Sequence, residues 1–290
     1  MLEHELQTLL HEAETFLPAG FRVEQTKIVK NNGVKETALF LMPDDGGPGA
    51  SALVFPGPYL LALKSGDDLA LTAKKLADHL LSPLPKDRYL SSLTAILTDY
   101  KEVKPRLAFR LLSQKLNTEI GEELVFRPYL DLFLIYMVVF ESDNGTESSA
   151  RVTKALMERW GVTEEDLYRD AMENTRVHRG IFIKPLEEMV QGTDTPASDI
   201  LVLSNPDGYY GASLLAVTDI FRALAEEFKT DLWVVPSSVH ELLLVPDNGF
   251  VLPEYLRHII DEVNRLLRPE DVLSDHPYFF SRERDELLPV

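Results

Sequence analysis

Apolar residues recur along this chain with two different periods, and each period marks a different kind of element. Leu2, Leu6, Leu9, Ala13 and Phe16 are spaced by four and three, which places them on one helical face and leaves Glu3, Glu5, Glu12 and Glu14 to solvent. Pro18 and Gly20 end that helix. Residues 21–30 and 34–42 flank Asn31, Asn32 and Gly33, and an Asn-Gly pair between β-prone runs predicts a hairpin because its turn residues must adopt positive φ. Residues 43–49 read as a loop and residues 52–55 as a short strand, stopped by a turn at Pro56-Gly57-Pro58. Leu69, Ala73, Leu76 and Leu80 mark a second amphipathic helix that ends before Pro83 and Pro85.

The middle of the chain mixes the two periods. Residues 106–113 are β-prone, and residues 129–141 form a nearly continuous apolar run, the pattern of a central strand buried on both faces. After a turn at Asp143-Asn144-Gly145, the stripe Val152, Leu156 and Trp160 predicts a helix ended by Gly161. Thr163 followed by Asp166 is a capping box with Asp in the place of Glu or Gln, opening a helix through Leu167 and Ala171 to about Asn174. Residues 184–199, with Pro185, Gly192 and Pro196, read as a loop or linker. Residues 200–203 then form a short strand and Asn205-Pro206-Asp207-Gly208 a turn. Ser213 caps a helix with the face Leu214, Val217, Phe221, Leu224 and Phe228.

The stretch DLWVVPSSVHELLLVPD, residues 231–247, organises the C-terminal part. Its runs 232–235 and 239–245, separated by Pro236, Ser237 and Ser238, predict a core hairpin. Pro253 sits in the first turn of a helix with the stripe Leu252, Leu256, Ile259, Val263 and Leu266. No period of 20 to 50 residues recurs and no regular βαβ rhythm is present, which excludes a solenoid and favours an α+β fold: mixed, mainly antiparallel sheets with amphipathic helices packed on them. The expected organisation is one domain over residues 1–290, with a subdivision into residues 1–183 and 200–290 about the 184–199 segment.

The phrases KIVKNNGVKETAL (residues 27–39), YLDLFLIYMVVF (129–140), LVLSNPDGYYGASLL (201–215), VVPSSVHELLLVP (234–246) and VLSDHPYFFSRE (272–283) resemble those of a bacterial family, domain of unknown function 5688. The resemblance spans nearly the whole chain in order. It implies a bacterial source of the Firmicutes type and one family-wide domain; it brings no activity and no functional residues with it.

Charge narrows the functions open to such a chain. Acids outnumber bases 47 to 29, a net charge of −18, so direct nucleic-acid binding and adsorption to anionic membranes are not expected, whereas a basic protein partner would be attracted. With no cysteine there is no disulfide, thiolate metal site or Cys nucleophile, which suits a cytoplasmic protein. Residues 1–18 lack the pattern of a signal peptide, and the apolar run 132–140 is too short to span a bilayer. The glycines of residues 43–57 form neither GxGxxG nor GxxxxGK[ST], so no cofactor is expected.

The candidate chemistry lies in the C-terminal hairpin. Ser238, His240 and Glu241 are the types of a nucleophile, its base and an orienting acid, although in a regular strand Ser238 and His240 share a face that Glu241 does not. His240, Asp275 and His276 offer imidazole and carboxylate ligands for a metal if residues 272–280 pair beside the hairpin, but Leu244 stands where HExxH needs its second histidine. Trp160 and Trp233 fall on core-facing patterns. The absence of a complete catalytic constellation favours a non-enzymatic binding or regulatory protein with an acidic surface. The alternatives are a hydrolase or metal-dependent enzyme at the PSSVHE hairpin, and an acidic nucleic-acid mimic of the anti-restriction type.

Overall fold

The computed structural model describes residues 2–44, 53–81, 97–118, 120–141, 147–177, 179–189 and 199–290. They fall into two compact units, Met1–Lys30 with Val34–Ile96 and Asn31–Gly33 with Leu97–Val290.

The first unit holds α1 (Leu2–Glu14), β1 (Phe21–Val29), β2 (Lys35–Pro43), α2 (Gly57–Lys64) and α3 (Leu69–Leu81). The strands form the expected antiparallel hairpin, Phe21 opposite Pro43 and Val29 opposite Lys35, and Asn32 and Gly33 take φ of 59° and 70°. Leu9, Ala13, Leu39, Leu41, Leu76 and Leu80 make its core. Two local readings change. Within residues 52–55 only Val54 pairs, through a single bridge to Leu39; residue 52 lies outside the described residues. Pro56-Gly57-Pro58 opens α2 instead of turning the chain, because a proline in a helix's first turn gives up an N–H that has no intrahelical partner there.

The second unit continues with α4 (Tyr100–Val103), β3 (Leu107–Ser113), β4 (Phe126–Tyr129), β5 (Leu132–Glu141), β6 (Glu147–Arg151), α5 (Lys154–Trp160) and α6 (Glu164–Val177). β5 is central, pairing antiparallel with β3, β4 and β6, and successive residues Leu134 to Val138 are all buried. The apolar run divides at Leu130 (φ 53°), where a tight turn leaves Tyr129 at the end of β4. The turn at residues 143–145 lies outside the described residues. The capping box forms as read: Thr163 N–H donates to Asp166 Oδ2 at 3.0 Å and Asp166 N–H to Thr163 Oγ1 at 3.2 Å.

Then follow β7 (Phe182–Pro185), α7 (Leu186–Met189), β8 (Leu201–Ser204), α8 (Thr218–Phe228), β9 (Leu232–Pro236), β10 (Leu242–Pro246), α9 (Pro253–Asn264), β11 (Tyr278–Ser281) and β12 (Glu286–Pro289). These strands form one antiparallel sheet in the order β12-β11-β9-β10-β8-β7. The fold is therefore α+β. The described part of residues 184–199 is the end of β7, the short α7 and Asp199. Ser213 does not cap a helix: residues Gly211–Ala216 form a buried 3-10 turn and α8 begins at Thr218. On α9 the buried residues are Leu256 and Ile260, while Leu252 and Leu266 are exposed, since the helix ends at Asn264 and Leu266 falls beyond it. No described helix is long and apolar enough to cross a membrane.

Candidate functional site

The hairpin β9–β10 is real, but Val239, His240 and Glu241 leave the strand and form, with Ser237 and Ser238, a five-residue connection. Strand alternation therefore does not govern these side chains. Ser237 Oγ donates to Glu241 Oε1 at 2.8 Å, closing the turn. Ser238 Oγ accepts the backbone N–H of His240 at 3.0 Å. Val239 N–H donates to the Asp271 carbonyl at 2.8 Å.

The turn is tied to the loop that follows β8. Asn205 brackets Tyr209, its Oδ1 accepting the Tyr209 N–H at 3.0 Å and its Nδ2 donating to the Tyr209 carbonyl at 2.8 Å. That clamp, with Gly208 at φ 63°, swings Tyr210 into the left-handed region at φ 55°, a conformation that costs an L-residue about 1–2 kcal/mol. Two bonds hold it against that cost: Tyr210 N–H donates to His240 Nδ1 at 3.1 Å, and Ser204 Oγ donates to the His240 carbonyl at 2.8 Å. With Nδ1 accepting, the neutral imidazole carries its proton on Nε2, which lies 3.5 Å from Asp271 Oδ1. The Tyr209 ring stacks on the imidazole at 5.5 Å between centroids.

Arginines surround this aromatic cluster. Arg110 on β3 lies opposite Ile135 and Arg151 on β6 opposite Met137, so both project from one face of the sheet. The Arg110 guanidinium sits 3.6 Å from the Tyr210 ring centroid and donates to Ser149 Oγ at 3.0 Å. Burial holds Arg151 below the ordinary arginine range, and the like charge of Arg110 adds to the effect. Beside them opens a narrow, half-enclosed cleft lined by Arg110, Arg179, Asn205, Tyr210, Gly211 and Ser213, with Ala108, Val139 and Leu214 among its apolar walls. Ser213 is buried and its Oγ has no hydrogen-bond partner among the described residues. Such a hydroxyl costs about 1–3 kcal/mol until a ligand or water meets it.

The other candidates form a separate cluster. Residues 278–281 do pair beside the hairpin, yet His240 and His276 have different partners. His276 Nδ1 lies 2.9 Å from Asp275 Oδ1 and its Nε2 3.4 Å from Asp131 Oδ2. Tyr278 OH donates to Asp131 at 2.8 Å and Lys115 to Asp275 at 2.5 Å. The Lys115 bond, with His276, brings Asp275 down to about 2. Among the described residues no group of three or more His, Asp or Glu is placed to hold a metal ion.

The contact with Asp131 raises His276 above its ordinary 6.5; burial opposes the rise and Asp275 adds to it. A histidine raised on folding stabilises the fold fully below its unfolded pKa and loses that contribution as pH rises through the folded one. Urea midpoints should therefore fall as pH rises from the ordinary histidine value of 6.5 through the raised folded one, and His276→Gln should flatten that slope. Equal slopes in the two proteins would show that His276 does not bind its proton more tightly when folded.

Sequence reasoning found His240 but not its surroundings. Arg110 was visible as the single charge in LAFRLLS (residues 107–113); Arg151, Arg179 and Asp271 gave no such signal, since only the fold brings them near the turn.

Fold and site together define an antiparallel α+β protein whose cleft is lined by arginine and tyrosine and whose Ser204, Ser237 and Ser238 hydroxyls bond the His240 backbone or Glu241. The chain belongs to the family of unknown function DUF5688, whose model matches residues 3–282. No curated protein and no solved structure matches it.

Proposed function

We propose that this is a non-enzymatic binding protein whose ligand cleft lies beside the Asn205–Ser213 loop. One observation carries the reading: the hydroxyls around His240 serve the backbone or a carboxylate, not the imidazole. Ser204 donates to the His240 carbonyl, Ser238 accepts the His240 N–H and Ser237 donates to Glu241. A hydrolytic serine needs its base within hydrogen-bond reach, whereas here His240 holds the Tyr210 N–H and so shapes the cleft wall. The net charge of −18 supports a basic protein as the macromolecular partner, and the cysteine-free composition supports a bacterial cytoplasmic location.

The test is covalent labelling of the purified chain with a fluorophosphonate, which captures activated serines. Ser204, Ser237 and Ser238 should remain unmodified at concentrations that label a serine hydrolase completely. Labelling of any of them that disappears in His240→Ala would replace the binding reading with an enzymatic one.

A further inference from the structure

On α9 two apolar faces run side by side, and only one of them is covered. Leu256 and Ile260 pack on Trp233 and Val235 of the sheet. Leu252, Tyr255, Ile259, Val263 and Leu266 form a second stripe, rotated from the first by roughly 80° at about 3.6 residues per turn. Leu266 keeps the helical path because Arg265 is still right-handed α, at φ −68° and ψ −21°. Along this stripe Leu252, Tyr255 and Leu266 are 63%, 62% and 87% exposed, and Ile259 and Val263 are half-buried. Phe250, two residues before it in the chain, is 87% exposed. Single apolar residues scattered over a surface need no explanation, whereas a contiguous row of them marks an interaction site. The charges on the helix do not call for a charged partner. Glu254 lies by Arg257, His258 by Glu262 and Asp261 by Arg265, so three acids against two arginines leave one negative charge on a helix of a chain whose net charge is −18.

The spacing of the stripe points to its occupant. Its steps of three, four, four and three read the same in both directions about Ile259. We infer that α9 is the interface of a homodimer, in which a second copy of this chain lays the same stripe antiparallel across a two-fold axis at Ile259. Leu252 then meets the partner's Leu266, Tyr255 the partner's Val263 and Ile259 its own counterpart, the self-complementary pairing that an isologous contact requires. The antiparallel setting also puts the positive end of each helix dipole beside the negative end of the other. Leu252, Tyr255, Leu266 and Phe250 present on the order of 500 Å² of apolar surface, short of the about 800 Å² a side of a standard interface, so the association is micromolar and reversible. The charge of −18 on each copy opposes it at long range, but the nearly neutral helix spares the contact itself most of that repulsion, and salt screens the rest. A basic protein or an anionic membrane would find no unmatched charge on this helix to select it. The pairing needs nothing from the cleft, so it stands apart from the binding reading.

Sedimentation equilibrium of the full chain, from about 1 to about 100 μM, tests the interface. A monomer–dimer equilibrium with a dissociation constant on the order of 10 μM is expected, tightening as salt is raised from about 50 to about 500 mM. Leu252→Glu and Leu266→Lys should each weaken it by about tenfold or more, because each sets a charge against an apolar partner. Both positions are exposed, so the thermal midpoints of the dilute variants should stay close to wild type. The double variant should recover most of the loss, since each introduced acid then faces the partner's introduced base on both sides of the axis. A chain that remains monomeric at about 100 μM overturns the assignment, and cosedimentation of that monomer with phosphatidylcholine vesicles would give the stripe to a membrane surface instead. A dimer that neither single variant weakens overturns it by placing the interface elsewhere. A double variant that dimerises no better than the single ones overturns the antiparallel pairing.

Discussion

Asp170→Ala should destabilise the second unit by about 2–3 kcal/mol. The Asp170 side chain, on α6, is 1% exposed and accepts bonds from Tyr100 OH at 2.8 Å, Lys104 Nζ at 3.2 Å and Arg169 Nε at 3.1 Å. In the same helix Asn174 Nδ2 donates to the carbonyls of Lys104 at 2.6 Å and Leu107 at 2.9 Å. The helix is thus fastened to the chain that enters β3, the strand carrying Arg110. Lys104 and Arg169 are more than half exposed and recover hydration when the carboxylate goes, which keeps the cost below the 3–5 kcal/mol typical of a fully buried pair broken on one side. Burial raises the pKa of Asp170, but the bonds from Tyr100, Lys104 and Arg169 outweigh it and hold the group below its ordinary 3.8. Its contribution is therefore present above that value and lost as pH falls through the lower folded one. The wild-type and mutant midpoints should converge in acid. Both tryptophans, Trp160 and Trp233, belong to this unit, so their fluorescence during urea unfolding reads the effect. A midpoint unchanged at neutral pH would show that the carboxylate's bonds do no more than offset its desolvation.

Legibility in the sequence followed the range of the interactions involved. The Asn31-Asn32-Gly33 hairpin, the Thr163–Asp166 box and the helix stop at Gly161 (φ 65°) rest on contacts between residues a few positions apart, so local chemistry fixes them. The central strand was equally plain, because burial on both faces leaves no polar period. The division of residues 129–141 was hidden, since Leu130 adopts φ 53° in a turn without Gly or Asn. The Ser213 region misled for a related reason. Its spacing is helical, but Tyr210 at φ 55° and the close contact at Gly211 delay the helix until Thr218. His240 was legible as the ionisable group of an apolar hairpin. Its role was not, because Tyr210, Asp271 and Ser204 reach it across 30 residues or more.

Gly211→Ala should cost about 2–3 kcal/mol, at the upper end for overpacking, and should loosen the cleft as well as the fold. A Cβ at this position would stand 2.1 Å from Ser204 Oγ, 2.5 Å from the His240 carbonyl oxygen and 2.8 Å from the Asn205 nitrogen. Two of these are backbone atoms, and both belong to the seam between the Asn205–Ser213 loop and the Ser237–Glu241 turn. Relief requires the seam to open, which withdraws His240 Nδ1 from the Tyr210 N–H. Gly208→Ala is the informative control: Gly208 has φ 63° and no atom within 4 Å of its ideal Cβ, so its cost is conformational, about 1 kcal/mol, and leaves the seam closed. Ser204→Ala combined with Gly211→Ala removes the nearest obstacle but neither backbone atom, so it should recover less than half of the loss. Full recovery would mean that only a side chain forbids the Cβ, and that the seam itself can yield. Near-neutral Gly211→Ala would remove the close approach at Gly211 as the reason the loop and turn are held together. A large loss with little rescue, set against a small one at Gly208, would trace the shape of the cleft to a contact that only the smallest residue allows.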